Sequence, residues 1–425
     1  MNPTAEPGAT TGGGAHREPT AELLGPVLAI GADTLARSFA SRSTKIDGMR
    51  RRLPIFVVLL LVADGATAID RVTFATEAGE QTVEGRVLAA DATGGRLVES
   101  SDGALTVVTG EEVRGVESDD APFAPLGADA FAEAMLAELP EGFQVYQTAH
   151  YVVCYNTSRE YAQWTSSLLE RLHKAFTAYW QRAGFELHEP EFPLAVIVYS
   201  NADQYAQESR DELGSATGAV VGHYSLATNR VRMYDLTGAD QFRRNTGARV
   251  SRRDISRLLA SPAAEPLVAT IIHEATHQIA FNCGLQQRYA DIPLWLLEGM
   301  AVYFETPDLS AGRGWRGIGK VNQRRLAIFR QNLRTWSPAR IAAIVASDKP
   351  LRETRTANDA YSDAWALNYY LIQRQPKQYV EYVRMMSERK PLRSAPEDQR
   401  ISDFTDHFGD LAPLSRELAE LMQRL

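Results

Sequence analysis

Short alternating runs of apolar and polar positions fill residues 69–118. Arg71–Ala75, Gln81–Leu88, Arg96–Ser100, Ala104–Val108 and Val113–Glu117 are rich in Val, Thr and Leu, with glycine-bearing turns between them. Five such runs in so short a stretch predict a small all-β domain, barrel-like in the manner of a Src-homology-3 fold. Nothing in it carries chemistry, so it reads as a packing or binding appendage. The acidic, proline-bearing segment Ser118–Pro125 reads as a linker. The period then lengthens. Ala128–Leu139 and Ser158–Ala183 have helical spacing, the second with Leu168, Leu169, Leu172 and Phe176 on one side. His150–Tyr155 reads as a strand, and Leu194–Tyr199 is the near-continuous apolar run of a strand covered on both faces. Arg230–Leu236 alternates as an exposed strand would, and Arg243, Arg244, Arg249, Arg252 and Arg253 follow as a solvated basic loop. Beyond Val321 the pattern is helical almost throughout. The expectation is an α+β chain: a β-rich domain over 69–118, then a mixed domain over 126–425 whose part from about residue 320 is helical.

Composition narrows the classes. The 425 residues carry 45 basic against 53 acidic side chains, a net charge of −8, the wrong sign for a general nucleic-acid binder. Two cysteines, Cys154 and Cys283, rule out a cysteine-rich metal cluster. They could pair or remain free thiols, because sequence gives no distance between them. The longest strictly apolar run, Ile55–Ala63, is nine residues, short of the roughly 20 that cross a bilayer. It nevertheless follows Arg50, Arg51 and Arg52 and precedes Ala66-Thr67-Ala68, the layout of a secretory leader over 49–68 with cleavage after Ala68. Residues 1–48, rich in Gly, Ala, Thr and Pro, then read as a disordered or misassigned extension. The expected destination is outside the cytoplasm, in a periplasm or beyond the cell, with no transmembrane segment in the mature chain.

The chemistry concentrates in Ile271-Ile-His-Glu-Ala-Thr-His-Gln-Ile-Ala280. His273 and His277 are four apart, so a helix stacks their imidazoles on one face, where both can reach one metal ion. Glu274 stands beside them, placed to take a proton from a water on that metal. Pro266 suits the first turn of such a helix, and Cys283-Gly284 ends it. A catalytic zinc site needs a third protein ligand. The candidate is Glu298, in the helical segment Pro293–Glu305, with twenty residues between it and His277. Two imidazoles and a carboxylate suit zinc. Glu305, two turns further along that face, could orient a ligand histidine from outside. The remaining histidines read as structural, except that His223, with Tyr224 beside it, could line a cleft and touch substrate.

These segments resemble the gluzincin branch of the zinc metallopeptidases, within the peptidase-MA-like superfamily. Trp295-Leu296-Leu297-Glu298-Gly299, with Tyr303 and Glu305, matches the second helix of the aminopeptidase and leukotriene-hydrolase relatives, and Asn282 falls where those relatives often carry an asparagine. Tyr361-Ser-Asp-Ala-Trp-Ala-Leu-Asn-Tyr-Tyr-Leu371 matches the helix that opens on their oxyanion-stabilising tyrosine. The resemblance implies a zincin-like fold, one Zn2+ per chain held by His273, His277 and Glu298, Glu274 as general base, Tyr361 as oxyanion donor, Asn282 near the ligands, and a peptide or protein substrate. The aminopeptidases' Gly-x-Met-Glu-Asn strand is missing from Gly218–Ser225 and Asn229–Asp235. That favours endopeptidase over exopeptidase action, with Arg230–Leu236 as a sheet edge for an extended peptide. Hydrolysis of a non-peptide substrate would use the same residues. A zinc fold that has lost its activity and serves as an envelope binding module is the rival reading.

Overall fold

A computed structural model describes residues 68–238, 250–307, 315 and 317–425. The leader and the extension before it lie outside these residues, apart from Ala68, as do Arg243, Arg244 and Arg249. Fourteen α-helices and two five-stranded sheets make up the described residues.

The first sheet contains β1 (Ala68–Thr76), β2 (Gly79–Ala90), β3 (Arg96–Glu99), β4 (Leu105–Val108) and β5 (Val113–Pro122). All the expected strands form, but the barrel does not close. The order is β4-β3-β2-β1-β5, antiparallel throughout, and the edges β4 and β5 do not pair. The acidic segment expected as linker is strand as far as Pro122, because Ser118 and Asp119 pair with Asp70 and Ile69. Only Val72, Val98 and Val108 form the buried centre of this sheet, too little to stand alone. It is docked instead. Arg288 donates to Glu99 (2.9 Å) and to Leu226 O (3.2 Å), Arg230 donates to Asp102 (3.1 Å), and the Leu105 N–H donates to Ala227 O (2.6 Å).

The second sheet runs β6 (Gln144–Gln147), β7 (Tyr151–Tyr155), β8 (Leu194–Tyr199), β10 (Arg230–Tyr234) and β9 (Gly222–Tyr224) in spatial order. β7, β8 and β10 are parallel, and both edges run antiparallel. Alternate residues explain the unbroken apolar run of β8. Leu194, Val196 and Val198 face the main helical core, while Ala195, Ile197 and Tyr199 face a smaller one under α1 (Ala128–Glu138) and α3 (Ala202–Glu208). β10 is therefore interior, not the edge expected of it. The edge is β9, whose three residues are too short to carry a pattern.

Across the main core lie α2 (Arg159–Arg182), α6 (Glu265–Asn282), α7 (Leu294–Phe304) and α11 (Ala357–Arg374). α6 has Pro266 in its first turn and buries Val268, Ile271, Ile272, Ala275 and Ile279. It stops at Gly284, whose φ of +82° and close approach to the His188 ring admit no side chain. α7 is buried at every residue, the mark of a helix packed on all sides. Its closest neighbour is α11. A Cβ at Gly299 would meet Asn368 Nδ2 at 2.0 Å and Ala364 O at 2.4 Å. Gly299→Ala is expected to force the two helices apart, at a cost of about 1–3 kcal/mol or more. A thermal melt should show a midpoint several degrees below wild type, and an unchanged midpoint would contradict this packing.

Candidate metal centre

α6 and α7 face each other across the ends of His273, His277 and Glu298. His273 Nε2 lies 3.1 Å from Glu298 Oε2 and 3.2 Å from His277 Nε2, and His277 Nε2 lies 3.6 Å from Glu298 Oε2. Three donor atoms from two helices thus point at one spot, as the four-residue spacing and the return helix require. Glu298 is fully buried and its Oε1 has no hydrogen-bond partner. A bare carboxylate oxygen in the core is costly unless a cation meets it. The donor set therefore fits a metal ion, and His273, His277 and Glu298 are the residues that could hold one.

Glu305 lies against the outer nitrogen of His273. Its Oε2 takes His273 Nδ1 at 2.9 Å, while its Oε1 accepts from Asn322 Nδ2 at 2.7 Å. This fixes the ring's orientation and leaves Nε2 for the shared spot. Asn322 is also the N-cap of α8 (Gln323–Gln331), accepting the Arg325 N–H at 3.0 Å. A helix cap and a histidine orienter are thereby one residue, a link the sequence spacing did not reveal.

The charges in the cluster lock together. Burial opposes a proton on His273, yet hydrogen bonds and charge from Glu298 and Glu305 outweigh it and bring the ring up to about 10. Burial likewise opposes ionisation of Glu298, and the imidazoles beside it, His277 foremost, bring the carboxyl down to about 2. His277 itself is lowered by burial. Without a metal, the two carboxylates beside His273 favour the protonated ring.

Glu274 lies one residue along α6 and lines an adjoining cavity of about 260 Å3. Its Oε2 accepts the backbone N–H of Tyr224 at 2.8 Å, and burial pushes its carboxyl up to about 7. Tyr224 thus meets the site through the main chain of edge strand β9, not through its ring, whose hydroxyl donates to Asn229. His223 is not a cleft residue. It is fully buried, with Nδ1 on Tyr205 Oη (2.9 Å) and Nε2 on Glu212 (3.1 Å). Asn282 is also elsewhere than expected: it exchanges hydrogen bonds with Asn229 and pins the end of α6 to the β9–β10 turn.

Tyr361, in the second turn of α11, is fully buried and its hydroxyl has no hydrogen-bond partner. Burial, with the negative charge of Glu298, holds the phenol well above its usual range. Its ring lies under the Arg325 guanidinium, 5.5 Å away. Arg325 lines the cavity and Tyr361 sits behind it. Sequence reading had no signal for Arg325, one arginine in a polar helix, because only the fold brings α8 to the site.

A second cluster, His150, His173 and Glu189, also gathers donor atoms. Here the two rings stack at 4.0 Å, inclined by 28°. His150 bridges Glu170 (2.7 Å) and Glu189 (3.2 Å) as a salt-bridge residue would. Cys154 and Cys283 are free and buried, each thiol pushed up to about 12 by burial. Among the described residues no helix is long and apolar enough to cross a membrane.

A family described only as "Protein of unknown function (DUF1570)" matches residues 267–393, a span that holds His273, Glu274, His277, Glu298, Arg325 and Tyr361. Comparison with curated proteins gives no match.

Proposed function

We propose that this chain is an exported monozinc hydrolase of the gluzincin type, acting on peptide bonds. The observation that carries the reading is the convergence of His273, His277 and Glu298 beside a cavity-lining Glu274. A purely structural site has no use for that glutamate. His273, His277 and Glu298 would hold a zinc ion, which would supply Lewis acidity toward a carbonyl and a water.

The chain's own residues do the rest. Glu305 holds the His273 ring so that Nε2 stays directed inward. Glu274, fixed at one oxygen by the Tyr224 N–H, takes the water's proton and passes it to the leaving amine. Burial that raises Glu274 to about 7 suits both halves of that task. Tyr361, with a hydroxyl free of other partners, is the oxyanion donor that the family resemblance assigns. Among the described residues no strand pairs with the outer edge of β9, and Val220 and Gly222 lie on the cavity wall there. An extended peptide can add there as a further strand, which favours cleavage within a chain.

The test is a peptide library incubated with zinc-loaded protein, read by mass spectrometry. Newly cut peptides, absent after chelation and restored by added zinc, are the expected result. A wild-type protein that binds zinc and cuts nothing would favour the envelope binding module instead.

A further inference from the structure

The wall of the cavity that faces α6 is the first turn of α8. Asn322, Gln323, Arg324 and Arg325 all line it. The first N–H groups of a helix lack intrahelical partners and carry the positive end of its dipole. At α8 the Asn322 side chain satisfies the Arg325 N–H, and the first turn presents the positive end of the helix dipole to the cavity. Arg325 adds a full positive charge to the same wall.

That guanidinium is unusual in what it lacks. Arg325 is only 7% exposed, and a buried arginine ordinarily faces a carboxylate. Three carboxylates line this cavity, Glu265, Glu274 and Glu305. Among the described residues none lies within ion-pair distance of Arg325, whose one hydrogen bond from the side chain is a long 3.5 Å contact with Asn358. Glu305 is not available, because both its oxygens are committed to His273 and Asn322. Glu274 is held by Tyr224. A planar fork of N–H donors, nearly desolvated and stacked on Tyr361, is left turned toward the cavity.

We propose that Arg325, with the N-terminus of α8, forms an anion subsite that receives a carboxylate of the substrate. The proposal rests on the hydrolase reading and names its substrate class: peptides with a carboxylate close to the scissile bond. Arginine pairs with carboxylate through two parallel hydrogen bonds, so the subsite would fix register as well as charge. The carboxylate has two possible sources, an acidic side chain inside a peptide or a chain's free C-terminus.

Ligand-observed NMR titration of the metal-free, full-length protein tests this without requiring turnover. The probes are acetyl-Ala-Ala, its C-terminal amide, acetyl-Ala-Asp-amide and acetyl-Ala-Asn-amide. The expected result is that one acid binds about tenfold or more tightly than its neutral partner. That preference should vanish in Arg325→Gln and be weakened but still present in Arg325→Lys, which keeps the charge and loses the two-pronged geometry. Preference for free acetyl-Ala-Ala would indicate cleavage near C-termini, and preference for the aspartyl probe would indicate acidic residues within a chain. Equal binding of acid and neutral probes, binding of no probe, or a preference that survives in Arg325→Gln would overturn the subsite. A thermal melt of each variant shows whether it is folded. Failure of the hydrolase reading has a different signature: no cleavage by the zinc-loaded wild type, whatever the titration gives.

Discussion

Glu298→Ala is expected to lose tight zinc binding. The wild-type chain should take up one zinc per molecule, and the variant's affinity should fall by more than the 10- to 100-fold that is typical when only a ligand's outer partner is removed. The reason lies in the geometry. Glu298 supplies the single anionic donor, and its charge sits beside both imidazole Nε2 atoms in a fully buried setting. Without it two neutral rings remain, and the His273 proton has lost one of its two anchors. Proton counting gives an independent check. His273, up to about 10 in the metal-free site, must give up its proton before Nε2 can bind a metal, whereas Glu298, down to about 2, is already ionised. Zinc uptake near neutral pH should therefore release about one proton, seen as a dependence of calorimetric enthalpy on the buffer's ionisation heat. Affinity should weaken as pH falls, because protons compete for the same nitrogen. Metal retention by the alanine variant would remove Glu298 from the ligand set.

Glu274→Gln should have the opposite profile. Glutamine keeps the shape and can still accept the Tyr224 N–H, so zinc content and melting temperature should match wild type. Turnover of any substrate found should drop by about 100- to 10,000-fold, the range for loss of a positioned general base. The expected change is in kcat, with KM little altered, since the lost function is proton transfer and not binding. Comparable turnover by the variant would mean that another group moves the proton.

The parts of this site that were legible in the sequence are those fixed by local geometry. His273 and His277 are four apart, and Glu298 and Glu305 are seven apart; helical periodicity alone places each pair on a common face. The long helices and the buried strand Leu194–Tyr199 were legible for the same reason, because burial on one or two faces writes a period into the chain. What was hidden depends on contacts between distant segments. Arg325 and Asn322 reach the cavity only because α8 packs against α11 and so stands across the cavity from α6. Tyr224 matters through a backbone N–H, which no side-chain pattern encodes. The edge was assigned to β10 because its alternation is visible, whereas β9 has three residues. The first sheet shows the same limit: alternation gives the strands, and says nothing of whether the outermost two meet.

The docking of that first sheet reaches further than its own stability. Ala227 and Leu226, which accept from Leu105 and Arg288, sit in the turn between β9 and β10, and the Tyr224 N–H that steadies Glu274 lies three residues before Ala227. The N-terminal sheet thus acts as a splint on the loop beside Glu274's amide partner. A chain begun at Leu126 would keep His273, Glu274, His277 and Glu298, yet lose the brace on the segment whose Tyr224 amide meets Glu274. It would also leave Arg288 without its Glu99 partner. The two β-sheets are accordingly braced against each other, and the support of Glu274 crosses the boundary that sequence texture draws between them.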